Sequence, residues 1–572
     1  MPRLRLALAQ TNPTVGDLAG NSAQILDAAR RAHAAGADLL AAGEMALTGY
    51  PIEDLASRPS FLASSRAAVE ALATELQDAG LGDLPVVVGH PDGPFEPRLL
   101  GTSNAPTAIA QNCASVLQHG KVVARYAKHH LPNYSVFDEY RVFIPGDELL
   151  VLRIKGVDVA LIICEDLWRD GGPVSRVLDS DAGLLLVINA SPFERDKDEV
   201  RLPLVTRRAT ENNTTVAYVN IVGGQDDLVF DGDSVIVDGQ GQILARAPQF
   251  AEHLLITDLE LPEAGAPDVV DDVAHVTLSD PSYEQPPLGT DVAVLPDDRE
   301  QLWKALVLGT RDYVQKNGFA SVILGLSGGI DSAVCAAIAA DAIGADRVYG
   351  VSMPSKYSSD GSVSDADDLA DRIGLHYSVE AIADLVDPVE TQLSLTGTAA
   401  ENLQARIRAI ILMGLSNMHG HLVLTTGNKT ELSVGYSTIY GDSAGGFAPI
   451  KDVPKLLVWE LAKWRNEQPG TPPIPENSIE KPPSAELRPD QTDQDTLPPY
   501  ELLDAILDAY VTKALGHDDI IALGFDAATV DFVTKLVDRS EWKRRQGAIG
   551  PKISGMAFGR DRRLPITYRP TE

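Results

Sequence analysis

Val322-Ile323-Leu324-Gly325-Leu326-Ser327-Gly328-Gly329-Ile330-Asp331-Ser332 decides the fold of the second half of this chain. Val322 to Leu326 is the apolar, β-branched run of a buried parallel strand. Ala333 to Ile343 is Ala-rich and favours helix. Between the two, glycines let the backbone turn sharply and come close to a ligand. The hydroxyls of Ser327 and Ser332 and the N–H groups of the opening helix are then expected to face an anion. Asp331 supplies a hard carboxylate of the kind that holds magnesium. The string therefore reads as a pocket for a pyrophosphate leaving group. It is not a Walker P-loop, because no Gly-Lys-Ser/Thr follows. A Ser-Gly-Gly corner alone reads equally well as an ordinary strand–turn–helix corner.

Around this corner lies a chain of 572 residues, 44% hydrophobic and 23% charged, long enough for about three or four domain-sized units. Its net charge of −33 argues against nucleic acid and anionic membrane as partners. It leaves open a local basic pocket for an anionic nucleotide. Three cysteines, Cys113, Cys164 and Cys335, fit a reducing compartment and not a disulfide framework. No signal-like apolar core opens the sequence and no apolar run is long enough to span a bilayer, so the expectation is a cytoplasmic protein.

From Arg3 to about Leu261, strand-like and helix-like runs alternate in an α/β pattern. Arg5–Ala9, Pro85–Gly89, Val157–Ile163 and Gly183–Ile188 read as strands, and Asn21 to Ala35 as a helix with Asn21 as N-cap. Residues 262–298 are rich in proline, acids and small side chains and read as a linker. A second α/β unit is expected over 299–572. Within it, 467–499 is rich in Pro, Asp, Glu and Gln and reads as an active-site loop or as disorder.

Three reactive residue types fall at predicted strand ends in the first unit. Cys164 is a nucleophile in need of a base and a nearby cation. Glu44 can take its proton, and Lys128 can stabilise an oxyanion. Taken singly, such a cysteine is more often a core residue and such charges are more often solvated. The strings around them, Gly43 to Pro51, Lys128 to Tyr134 and Ile163 to Asp166, occur in the order in which they resemble the nitrilase superfamily of carbon–nitrogen hydrolases. That resemblance implies an αββα sandwich and amide hydrolysis through a Cys thioester. Leu131 to Glu139, Asn189 to Phe193 and Val222 to Asp226 are similar to the amidase part of the glutamine-dependent NAD synthetases. By that resemblance Tyr134, Ser191 and Lys197 bind the α-amino and α-carboxyl groups of glutamine.

The Ser327–Ser332 string resembles the signature of the ATP pyrophosphatases, which adenylate a substrate and release pyrophosphate. Thr426-Gly427-Asn428-Lys429-Thr430-Glu431, Asp452-Val453-Pro454-Lys455 and Lys481 to Leu487 extend the likeness to the NAD synthetases. It implies a Rossmann-like (adenine nucleotide α-hydrolase-like) domain. ATP as co-substrate is implied to meet Ser327, Gly328, Gly329, Asp331, Ser332, Thr426, Lys455 and Ser484. Mg2+ is implied on Asp331 and Glu431, and deamido-NAD on Asn402 and Arg406. The chain departs from the shorter, ammonia-using members at Ile439, where they carry Lys, and at Gly446, where they carry Asp. Lys429 or Lys552 is a substitute partner for the dinucleotide, Lys552 being taken into the site. The basic runs Lys543–Arg545 and Arg560–Arg563 are candidates for neutralising phosphate or, equally, for simple charge balance.

A nitrilase-type unit ahead of an ATP-pyrophosphatase unit is the arrangement of the glutamine-dependent NAD synthetases. These ligases convert deamido-NAD, ATP and glutamine to NAD, AMP, pyrophosphate and glutamate. The implied partners are these small molecules and further copies of the chain, in a homo-oligomer built from dimers. The rivals are an amidotransferase for another adenylated carboxylate and a binding protein that has lost chemistry, against which Glu44, Lys128, Cys164, Asp331 and Glu431 all count.

Overall fold

The computed structural model describes residues 1–96, 98–99, 107–265, 271–280, 286–289, 291–489 and 491–569. The chain divides into two compact units: Met1–Gln225 with Phe230–Pro296, and Asp226–Val229 with Asp297–Glu572.

In the first unit, strand Arg3–Gln10 shows why a sandwich forms. Its Leu4, Leu6 and Leu8 join a core with Leu150, Leu161, Leu186 and their neighbours. Its Ala7 and Ala9 instead pack with Ile25, Ala29, Val69 and Leu72 of the helices Leu18–Ala34 and Pro59–Asp78. A side-chain period of two thus sends large residues to the sheet–sheet interface and small ones to the helices. One sheet has six strands in the order His253–Glu260, Arg3–Gln10, Leu39–Ala42, Val86–Asp92, Gln111–Gln118, Lys121–Ala127. The other has seven: Ile243–Arg246, Val235–Val237, Thr215–Asn220, Leu184–Asn189, Val157–Ile163, Leu149–Ile154, Val273–Thr277. Helices Pro173–Asp179 and Asp198–Glu211 cover the second sheet through Val174, Leu204 and Val205. The expected αββα sandwich is present.

In the second unit a parallel sheet runs His376–Val379, Val348–Ser352, Val322–Gly325, Leu422–Val423. Helix Ile330–Ile343 follows the central strand, and a helical group including Tyr500–Leu507 and Ala527–Arg539 has its own core. This is the expected Rossmann-like architecture.

Three local readings change. The first helix begins at Leu18 with Asp17 as its cap, the Asp17 carboxylate accepting from Gly20 N–H. Asn21 lies inside the helix, buried, and its amide donates to the carbonyls of Thr14 and Leu47. The stretch read as a linker contains strand Val273–Thr277, paired with Leu149–Ile154, while residues 266–270, 281–285 and 290 of it lie outside the described residues. Within 467–499, helix Glu476–Glu480 and a turn at Asp493–Asp495 are formed, only residue 490 lying outside the description.

Candidate active sites

In the first unit the three predicted residues come from three places in the chain. Glu44 follows strand Leu39–Ala42, Lys128 follows Lys121–Ala127, and Cys164 follows Val157–Ile163. All three side chains are buried. Lys128 Nζ lies 2.7 Å from Glu44 Oε1. Asn112 Nδ2 donates to the same oxygen at 2.6 Å, and Ala190 N–H donates to Glu44 Oε2 at 3.0 Å. The carboxylate is therefore held from two sides. Burial raises the Cys164 thiol well above its usual range and the Glu44 charge adds to that, while Lys128 pulls the other way. The resting Cys164 is a neutral thiol, with Glu44 and Lys128 as the nearby charges that act on it in opposite directions.

Cys164 has φ +45° and ψ −97°, a region a side chain rarely adopts. Such a residue costs about 1–3 kcal/mol and persists only where its surroundings fix it. Here its N–H donates to Ile188 O at 3.0 Å and its carbonyl accepts from Leu167 N–H at 2.9 Å.

Glu139 was quoted in a motif but given no role by the sequence reading. It is buried and its carboxylate is 2.9 Å from Lys128 Nζ and 2.9 Å from Tyr50 OH. Burial pushes it up to about 7, Lys128 opposing and Glu44 reinforcing the rise. Burial works against the charge on Lys128, but the Glu139 and Glu44 carboxylates outweigh it and raise that lysine. Lys128 thus stays an ammonium inside the protein.

The three residues expected to bind glutamine make the following contacts. Tyr134 is exposed and its hydroxyl donates to Glu165 Oε2 at 2.8 Å, in the turn directly after Cys164. Arg169 holds the other Glu165 oxygen at 2.9 Å and lies over the Tyr134 ring. Lys197 Nζ lies 5.2 Å from the centre of the Trp168 ring. Ser191 is buried, its N–H donating to Asn220 Oδ1 at 2.8 Å. Glu165 and Arg169 were missed by the sequence reading; the only signal was their place beside the nucleophile.

In the second unit, Gly328 has φ +72°, and a Cβ there would stand 2.3 Å from Ser362 O. Only glycine fits this turn. Ser327 Oγ accepts from Gly329 N–H at 3.2 Å and lies 3.1 Å from Ser332 Oγ, which donates to Gly329 O at 3.0 Å. Ser332 is buried, and its hydroxyl ties the turn together. Gly329 caps helix Ile330–Ile343, whose first turn carries Asp331.

Asp331 and Glu431 converge on Lys455. Its ammonium contacts Asp331 directly and is 3.5 Å from Glu431 Oε1. Burial, with Asp331 adding to it, pushes Glu431 up to about 8. Burial lowers and the two carboxylates raise Lys455, whose net shift is upward. Lys455 thus stands as the cation between the Asp331 and Glu431 side chains. Asn428, which the sequence reading left without a role, donates to Asp331 Oδ1 at 2.9 Å and forms a capping box with Glu431. Thr426 ends the adjoining segment, and Ser484 is exposed, its hydroxyl accepting from Glu486 N–H at 3.1 Å.

Asn402 and Arg406 share helix Thr398–His419 and meet one loop: Thr438 Oγ1 donates to Asn402 Oδ1 at 2.7 Å, and Arg406 Nε donates to Ile439 O at 3.2 Å. Lys552 is not joined to them by these contacts. It is buried, donates to Ser554 O at 2.6 Å, and lines a cavity of about 290 Å³ with Lys451, Asp452 and Arg560. Lys429 is committed to Asp452, Ser554 and Met556. Arg544 is buried on Ser433 O, Val537 O and Glu541, and the half-buried Lys543 donates to Gly435 O and Ser437 O. Lys543 and Arg544 thus cap carbonyls within the fold, and Arg544 pairs with Glu541. Among the described residues no group of three or more His, Cys, Asp or Glu could hold a metal ion.

A carbon–nitrogen hydrolase centre and an adenylating centre on one chain define an amide-transferring ligase. Residues 5–266 match the carbon–nitrogen hydrolase family and residues 302–547 the NAD synthase family. A glutamine-dependent NAD(+) synthetase from Acinetobacter baylyi is 43% identical over 580 residues, covering 100% of each chain. One from Thermotoga maritima is 43% identical over 593 residues, covering 100% of this chain and 99% of its own. The structure of the Acinetobacter baumannii glutamine-dependent NAD+ synthetase in complex with ADP superposes with a TM-score of 0.72 at 40% identity, covering 99% of this chain and 98% of that one. The chain belongs to the glutamine-dependent NAD(+) synthetases.

Proposed function

We propose that this chain makes NAD from deamido-NAD, ATP and glutamine with the residues placed above, residues 1–261 serving as glutaminase and 299–572 as synthetase. The observation that carries the reading is the convergence of Glu44, Lys128 and Cys164 from the ends of three strands, two in one sheet and the third in the other, with Lys128 2.7 Å from Glu44.

Glu44 takes the Cys164 proton as sulfur attacks the amide carbon of glutamine. Lys128 faces the oxyanion that forms, and its charge is held by Glu139. Collapse of the tetrahedral intermediate breaks the C–N bond, and the proton on Glu44 leaves with ammonia. Water, deprotonated by Glu44, then hydrolyses the thioester to glutamate. Tyr134, Ser191 and Lys197 orient the glutamine head group, and the neighbouring Arg169 adds a cation for its α-carboxylate.

In the synthetase unit the nicotinate carboxylate of deamido-NAD attacks the α-phosphorus of ATP and pyrophosphate leaves. The backbone of Ser327–Gly329, with Lys455, Thr426 and Ser484, binds ATP, and Asn402, Arg406 and Lys552 bind deamido-NAD. Asp331 and Glu431 fit magnesium: both are carboxylates and both already converge on a cation, Lys455. When bound, magnesium screens the negative charge of the departing pyrophosphate. Ammonia then displaces AMP to give the amide.

We also propose a homo-oligomer built from dimers and a reducing, cytoplasmic setting. Helix Thr398–His419 leaves Ile410, Met413 and Met418 exposed, which supports association through this face, and the three cysteines are free. Among the described residues no helix is long and apolar enough to cross a membrane. The test of the assignment is NAD formation with deamido-NAD and, separately, other carboxylates, run with glutamine and then with ammonia. Preference for another acid would transfer the reading to a different amidotransferase.

A further inference from the structure

Asp166 lies two residues after Cys164, has no exposed surface, and takes no part in the chemistry described above. Its carboxylate accepts from donors in two separate parts of the first unit. Oδ1 accepts from His130 N–H at 2.7 Å and His129 N–H at 3.2 Å. Oδ2 accepts from Tyr126 OH at 2.7 Å and Ile163 N–H at 3.2 Å. Tyr126, His129 and His130 flank Lys128, and Ile163 immediately precedes Cys164. One buried side chain therefore fastens the chain on both sides of the catalytic lysine to the chain entering the nucleophile.

We propose that Asp166 is a positioning residue that fixes Lys128 relative to Cys164, through the backbone and not by contact with substrate. The argument rests on the assignment of Cys164 and Lys128 made above. Three features support it. First, the remaining backbone contacts of Lys128, its N–H to Asn112 O and its carbonyl from Gly146 N–H, both at 2.8 Å, tie it to other loops and not to the Cys164 turn. Second, the Cys164 backbone is strained at φ +45°, so its direction depends on what anchors the residues around it. Third, among the described residues no arginine or lysine is hydrogen-bonded to Asp166; its donors are three amides and a phenol. Burial pushes its carboxyl up to about 6 against these donors, so at neutral pH it is ionised and accepts from all four. An ordinary structural ion pair would not need this arrangement.

Asparagine at this position has nearly the same shape but offers one acceptor oxygen and turns an NH2 toward buried donors. Asp166→Asn is thus expected to loosen the link without removing bulk. The measurement is the kcat and KM of glutamine hydrolysis in the full chain, with ammonia-supported NAD formation as the control for folding. The expected result is a kcat about 100-fold lower, with KM for glutamine and the ammonia-supported rate within about threefold of the parent. A kcat within about threefold of the parent, a rise in KM with kcat unchanged, or a parallel loss of the ammonia-supported rate would each overturn the proposal. If Asp166→Asn does not accumulate as folded protein, Tyr126→Phe carries the test by removing one donor: kcat about fivefold lower with KM unmoved supports the proposal, and unchanged kcat overturns it. Cys164→Ala measured alongside separates the two readings. Full glutamine use by that variant would remove the nucleophile assignment itself, whereas its loss combined with an unaffected Asp166→Asn would remove only this proposal.

Discussion

Gly328→Ala is a perturbation of one methyl group whose effect follows from the turn that holds it. The residue sits at φ +72°, where an L side chain costs about 1–2 kcal/mol. The larger effect is steric. The new Cβ would stand 2.3 Å from Ser362 O and 2.9 Å from Ser362 Cα, both backbone atoms of the helix Asp360–Ile373. Ordinary contact begins near 3.4 Å, so the turn or that helix must move by about 1 Å. Movement is resisted from the other side, because Ser478 Oγ donates to Gly328 O at 2.9 Å. A displacement of about 1 Å in a reacting geometry costs on the order of 100-fold in rate. The expected result is an ammonia-supported rate of NAD formation, and of pyrophosphate release, about 100-fold below the parent, with glutaminase turnover measured without ATP within about threefold. Ammonia-supported synthesis at the parental rate would refute the assignment of this turn to the adenylation step.

Asp331→Asn and Glu431→Gln should each lower NAD formation from glutamine and from ammonia by at least about 100-fold, because each removes a hard ligand from the proposed magnesium site. Raising magnesium should recover part of that loss, and a full rate at ordinary magnesium in either variant would contradict it. Lys128→Met should abolish glutamine use and spare ammonia use, since it leaves Glu44 and Glu139 buried together with no cation between them; normal glutamine hydrolysis would count against the oxyanion role. The first unit should lose stability in mild acid. Burial, with the Arg125 charge, holds His90 down at about 4 against an ordinary 6.5, so the unfolded chain takes up a proton that the folded one refuses. That contribution is present above pH 6.5 and lost on falling to about 4, a change of up to about 3 kcal/mol. Asp92, held below its ordinary range by Arg66 and Arg125 against the effect of burial, adds to the loss at lower pH. Thermal melting across this range should show the decline, and a His90→Gln variant should flatten it; an unchanged melting temperature from pH 7 to 4.5 would refute it.

Much of both centres was legible because their signals are local. The alternation in Arg3–Gln10, with leucines on one face and small or charged residues on the other, carries its own instruction to lie between a second sheet and a helical layer. The glycines of Ser327–Ser332 mark a turn that the φ of Gly328 requires. Glu139 was not legible, because its role exists only once the fold brings residues 44, 50, 128 and 139 together. Asp166 is wholly buried in the fold, and its role was not legible in sequence because its partners lie 36 to 40 positions earlier apart from Ile163. The Asn21 misreading shows the same limit at short range. A good capping residue was available, but Asp17 lay where the chain turns into the helix, and Asn21 was used instead to satisfy two carbonyls.

The central claim is that one thiol in the first unit supplies nitrogen to a separate adenylating centre in the second. It is tested most directly by Cys164→Ala in the intact chain, assayed for NAD formation from deamido-NAD and ATP with glutamine and then with ammonia. The account predicts no glutamine-supported synthesis and an ammonia-supported rate within about twofold of the parent. Glutamine-supported synthesis at the parental rate, or loss of both activities in a variant that remains folded, would contradict it.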